Sequence, residues 1–313
     1  MKYIVKKTAT LIITLFIISL LAFLAFQIIP GDPTTKILGT NATPEAAEAL
    51  RIKLGLDQPV LIRYIRWLKG FLHGDMGTSY SYNYSVSAML KDKLPVTAIL
   101  TVTSFIITIV IALPLGVLAG SVKNKVLDHM IMMVDQLVMS IPPFFTGIMI
   151  CYLCGLVLRL FVPGRFVSYT TSWQKCIAYL IFPAVAIALP RIAMTIKMLR
   201  SSIMSELEKD YVRTAISRGN SRWGIIIHHV LRNAMIPIIT FLAISMAEIM
   251  TGTIIIEQVF TIPGIGLLLM ASINNRDFMV VQAIVVIMAA WIVLMNFLAD
   301  IINQIVDPRM KLE

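Results

Sequence analysis

The side chains best equipped for chemistry stand in places that suit little of it. Cys151 and Cys154 have the C-x-x-C spacing of a redox pair, yet they lie inside an apolar run, where a thiolate is costly and an attacking thiol has no access. They read as packing residues. Cys176 brings the cysteines to three, an odd number that argues against a disulfide framework. His73, His129, His228 and His229 fall in loops or at the ends of apolar runs, which disfavours a membrane-embedded hydrolase with a histidine-paired nucleophile. The 19 methionines are scattered through apolar segments and form no ligand cluster. No G-x-x-x-x-G-K-[ST] loop is present to cradle a nucleotide. Neither a catalytic residue nor a metal ligand is assigned, and the chain reads as a non-enzyme that binds no cofactor itself.

Two features remain. The first is ionisable or helix-breaking residues inside apolar runs, where a charge costs a few kcal/mol at a bilayer centre unless it faces water or a partner. Glu248 is the most isolated of them. Asp135 and Arg191 lie closer to span ends, where their side chains can reach the interface, and Glu257 sits at the far end of its run. The run "SIPPFF" places Pro142 and Pro143 where a helix would be mid-membrane. Broken helices tend to line cavities, although a structural kink explains the run equally well. Glu248, Ser140, Pro142 and Pro143 are thus the candidates for a translocation pathway.

The second feature is the polar stretch "EKDYVRTAISRGNSRWG", Glu208 to Gly224, between two strongly apolar spans. A connector needs only a handful of residues. Here Leu207, Tyr211 and Ala215 fall at i, i+4 and i+8, which predicts a helix around 207–216. Gly219 can take positive φ and stop it, and Asn220 or Ser221 can cap the next. On the residues alone, a helix–turn–helix knob and a solvated connector remain equally open.

The elements that must position these residues are apolar spans. With 58% hydrophobic and 14% charged residues, the 313-residue chain lies outside the range of soluble domains. Spans are predicted at Thr8–Ile29, Leu94–Val122, Met130–Leu158, Cys176–Ile196, Ala234–Val259 and Phe278–Ala299, each long enough to cross ~30 Å of hydrocarbon. The fold class is therefore an all-α integral membrane protein with six transmembrane helices and both termini on one side. The loop 197–233 carries seven Lys and Arg residues, and Lys2, Lys6 and Lys7 precede the first span. By the positive-inside bias these pieces and both termini are cytoplasmic, so the net charge of +10 calls for no nucleic-acid partner. The chain divides into a first helix (1–30), an extracytoplasmic segment (31–93) and a five-helix core (94–313). Within the segment, Thr43 caps a helix that starts at Pro44 and stops at Gly55. "LIRYIRWLKGFL" suits an amphipathic interfacial helix with Tyr64 and Trp67 at headgroup level.

The run "DYVRTAISRG", followed by "HHVLRNAMIP", resembles the cytoplasmic signature loop of the inner-membrane permeases of ATP-binding-cassette importers, in the form of the dipeptide, oligopeptide and nickel branch. Gly219, Ala215 and Leu231 match the general pattern, while Arg213, Thr214 and Arg232 depart from it in ways usual for that branch. "IIPGDPTTKILG", "KLGLDQPVLIRYIRWLKGFLHGDMGTSY", "KLPVTAILT", "IIIEQVFTIPGIGLLL" and "LADIINQIVDPRM" are also similar to its B-type permease, in the family's order.

The resemblance implies the type I importer permease fold, with a cytoplasmic coupling helix between helices 4 and 5. It implies a permease subunit in the cell's inner membrane that forms half of the pathway for di- or oligopeptides. Its implied partners are a second homologous permease, two ATPase subunits that bind ATP and magnesium, and an extracytoplasmic binding protein. The coupling residues it implies are Asp210, Tyr211, Arg213, Thr214, Ala215, Arg218 and Gly219, with Tyr211 as an apolar anchor, Gly219 as the turn and the arginines as charge complementarity. A nickel or metal-chelate importer is the alternative, and an ion-coupled secondary transporter a rival class that would show repeat symmetry or a chain of intramembrane carboxylates.

Overall fold

A computed structural model describes residues 2–28, 34, 38, 43–53, 56–122 and 124–306. The helix stop expected at Gly55, most of the "IIPGDPTTKILG" stretch, Lys123 and the tail from 307 lie outside them. Among the described residues the chain is helical, with one isolated bridge between Thr78 and Ser85. It divides into two compact units, Met1–Thr97 with Pro263–Val293, and Ala98–Ile262 with Leu294–Glu313.

The first unit contains α1 (Lys2–Ile28), α2 (Pro44–Lys53), α3 (Val60–Leu72) and α4 (Val86–Lys91). Thr43 caps α2 as expected, its Oγ1 accepting from Ala46 N at 3.3 Å. Amphipathic α3 turns Tyr64 onto α1, where the phenol meets Ser19 Oγ at 2.8 Å and the ring packs edge-on against Phe16 and Phe23. Leu61, Ile65 and Leu72 are left exposed. Tyr64 is thus buried against a helix. Asp277, fully buried, holds the 79–81 loop: Ser79 Oγ donates to its carboxylate, as do Tyr80 N and Ser81 N at 3.2 Å. The stretch expected as an outer loop at 260–277 contains an apolar helix, α12 (Ile265–Asn274), whose first N–H donates to Thr97 Oγ1 at 2.9 Å.

The second unit is built on α8 (Trp173–Leu207) and α11 (Leu231–Phe260), with α5 (Leu94–Ser121) entering it from Ala98. A methyl added at Gly120 would lie 2.9 Å from Ile203 Cβ, so the glycine is what lets α5 approach α8 closely. α13 (Phe278–Val306) enters at Leu294. Single prolines inside helices (Pro114, Pro183, Pro190, Pro237) are absorbed, since each removes only one backbone bond.

The third expected span is not continuous. α6 (Lys125–Ser140) and α7 (Pro143–Ile150) meet at a 91° bend. Each of Ile141 and Pro142 precedes a proline and is disfavoured in the helical region, and their ψ values are 120° and 140°. Two such residues in succession end a helix where one would only kink it. Among the described residues five helices are long and apolar enough to cross a membrane, and the bent pair makes a sixth if counted as one span. The fourth and fifth spans are also longer than expected, since α8 continues to Leu207 and helix runs without a break from Arg222 to Phe260.

Candidate functional site

The polar loop folds as a helix, a tight turn and a second helix. The first helix, α9, covers Asp210–Ser217 and not 207–216, because the chain leaves the helical region at Lys209 (ψ 151°) and Leu207 ends α8. Asp210 lies in its first turn, where a negative charge meets the positive end of the helix. Its C-terminus is a Schellman closure. Gly219 has φ +82°, Gly219 N donates to Ile216 O at 2.9 Å and Asn220 N to Ala215 O at 3.4 Å, which satisfies carbonyls the helix leaves open. Asn220 Nδ2 also reaches Ala215 O, at 3.1 Å. Ser221 then caps α10 (Arg222–Ile225), its Oγ accepting from Gly224 N at 3.2 Å.

The knob is fastened at its base. Val212 and Ala215 are buried with Leu199, Ile203, Ile225 and Val230 in one cluster, against which Tyr211 packs. Tyr211 Oη donates to Glu206 Oε2 at 2.8 Å and accepts from Asn233 Nδ2 at 3.5 Å, while Lys209 Nζ pairs with Glu206. One phenol thereby touches the end of α8 and the start of α11. Burial pushes the Tyr211 phenol up, and the carboxylate partner pushes the Lys209 ammonium up, so both remain protonated donors at neutral pH. Arg222 Nη2 donates to Ser121 O at 2.9 Å, at the end of α5. Arg200 binds Asp128 of α6 through Nε at 2.6 Å.

The opposite side is open. Arg213, Thr214, Ser217 and Arg218 are exposed, and Arg213 lies 3.7 Å from an almost wholly exposed Asp210, a contact worth ~0.5 kcal/mol at most in water. Ile216 and Trp223 are also exposed, at 59% and 48%. The expected coupling residues therefore separate into two groups. Tyr211 and Ala215 face inward, and the exposed apolar side chains of the knob are Ile216 and Trp223. Ile216 stands at i+4 from Val212, the spacing of a buried stripe, so its exposure was not readable from the pattern.

Of the pathway candidates, Glu248 is not isolated. It forms an ion pair with Arg191, which sits near the middle of the 35-residue α8. The side chains stay 27% and 51% exposed. Ser140, Pro142 and Pro143 are exposed at the bend, where Ser140 Oγ donates to Gln136 O at 2.7 Å.

Residues 112–312 match the binding-protein-dependent transport system inner membrane component family, and residues 1–101 match the N-terminal component of such membrane proteins. A Brucella abortus protein named as a peptide transport system permease is 34% identical over 308 residues, 98% of each chain. A Sinorhizobium fredii protein named as a peptide ABC transporter permease is 30% identical over 99% of each. The nickel import system permease of Staphylococcus aureus is 31% identical over 100% of this chain and 92% of its own.

Proposed function

From its membership of the binding-protein-dependent transport system inner membrane component family, to which this multi-pass chain belongs, we propose that it forms half of the pathway of an ATP-driven importer for di- or oligopeptides. The reading includes a second homologous permease, two ATPase subunits that carry ATP and magnesium, and an extracytoplasmic binding protein. This chain contributes no catalysis of its own. The observation that carries the reading is the knob at 210–224, an exposed face on a base clamped to α8, α11 and the end of α5. A push on α9 then moves spans and not merely a loop, the physical form in which coupling crosses long distances. Arg213, Thr214, Arg218 and the Ile216 and Trp223 side chains supply the contact with the ATPase.

Ile216→Asp tests the contact without touching the core, since the side chain is exposed. A buried anchor at an interface is worth ~2 kcal/mol or more, about 30-fold in affinity. The variant should insert normally and fail to co-purify the ATPase at wild-type stoichiometry. Undiminished co-purification removes Ile216 from the interface.

The proposed orientation puts both termini and the knob in the cytoplasm. Ser81, Asn220 and Asn274 are all exposed. In a background with Cys151, Cys154 and Cys176 replaced, single cysteines introduced at 81 and 274 should react with an impermeant thiol reagent from outside intact cells, and one at 220 should not. Outside labelling at 220 inverts the topology.

Nickel import is the second reading, favoured by the similarity to the staphylococcal nickel permease. Uptake of labelled peptides against labelled nickel by the whole importer separates the two.

A further inference from the structure

A cavity of about 230 Å³ opens in the first unit where α1, α3, the 73–80 loop and the start of α13 come together. Its wall is rich in donors. Arg63, Arg66 and Trp67 lie on one side of α3, at i, i+3 and i+4, and the Tyr80 phenol faces them. Burial pushes that phenol up, so it is a neutral O–H donor. Gln282 adds a carboxamide that is 3% exposed and whose buried Nε2 has no hydrogen-bond partner. A buried donor left unmade costs free energy, and its cavity is where an acceptor fits. The one carboxylate of the wall, Asp75, already accepts from Gly77 N at 3.0 Å.

The depth of the cavity points to the source of the acceptor. α3 is tied to α1 at Phe16, Ser19 and Phe23, and the apolar stretch of α1 runs to Phe26. Phe23, the α1 residue that lines the cavity, is three residues from Phe26, only ~5 Å inside the end of that stretch at 1.5 Å per residue. Phospholipid phosphates border this zone, and the exposed Arg66 guanidinium can reach for the headgroups there. Exposed Leu61, Ile65 and Leu72 give α3 an apolar face for the acyl chains.

We propose that this cavity binds the phosphodiester headgroup of a phospholipid, with the Arg63 and Arg66 guanidiniums, the Tyr80 hydroxyl and the Gln282 carboxamide donating to its oxygens. Arg66 and Gln282 are the residues to change: the first is exposed and the second has no partner to lose.

The test is native mass spectrometry of the purified importer, delipidated in mild detergent and incubated with dioctanoyl phosphatidylglycerol, dioctanoylglycerol or glycerol 3-phosphate. Wild type should retain the phosphatidylglycerol and release dioctanoylglycerol, which has the chains and no phosphate. Arg66→Gln and Gln282→Leu should each reduce retention fivefold or more, with the complex still intact by mass. Equal retention by both variants overturns the site, as does equal retention of dioctanoylglycerol. Glycerol 3-phosphate binding as tightly as the lipid assigns the cavity to a soluble phosphate and overturns the lipid.

Discussion

Gly219→Val should abolish ATP-driven uptake while leaving the protein in the membrane at near-normal amounts. Gly219 has φ +82°, and nothing lies within 4 Å of the position a Cβ would take, so the change acts on the backbone alone. A β-branched residue in the left-handed region costs ~1–3 kcal/mol. The cost falls on a turn that closes an eight-residue helix, too short to hold its shape unaided. The rest of the protein keeps its apolar helices, whereas α9 loses the closure formed by Gly219 N and Asn220 N and rotates or unravels. Gly219→Asn is the control, because asparagine visits the left-handed region readily; it should retain most uptake. The measurement is uptake, and stimulation of ATP hydrolysis by loaded binding protein, in proteoliposomes of the whole importer. Full transport by the valine variant means the segment is only a connector.

The turn behind this prediction was readable from the chain because its determinants are local. Gly219, Ser221 and the Thr43–Pro44 cap act within three or four residues of themselves, and the structure places each as its type demands. The double proline was half readable. A break was expected from two lost donors, but the size of the bend comes from the residues before the prolines, Ile141 and Pro142, each pushed to extended ψ. What was not legible is what one helix does to another. Tyr211 shares an apolar spacing with Leu207 and Ala215, which predicts a helix but not its partners, Glu206, across the break at Lys209, and Asn233 on α11. Asp277 in sequence is one more loop acid, and only the fold wraps the 79–81 loop around it. α12 was missed for a different reason: ten residues are too few to read as a span.

The pairing of Arg191 with Glu248 has the same origin and leads to the sharpest test of a pathway. Each residue alone suggested its own account, an interface for the arginine and a pathway for the glutamate. Together they form an ion pair well inside two long apolar helices, with half of the Glu248 side chain still accessible in this chain. Lipid cannot occupy that open side, since a charge at the helix centre costs ~2.5–3.5 kcal/mol even by the mildest scale. On the proposed reading, water in the pathway or the second permease subunit faces it. Removing one partner leaves the other unpaired, an effect of ~3–5 kcal/mol for a buried pair, reduced here by its exposure. Glu248→Gln and Arg191→Gln should therefore each lower the yield of assembled importer. The double variant carries no charge to strand, so it should assemble at near wild-type yield with basal ATP hydrolysis intact. Its uptake decides the role. If the pair lines the pathway, peptide uptake should fall at least tenfold although assembly has recovered. If uptake recovers along with assembly, the pair only joins α8 to α11, and the pathway runs elsewhere.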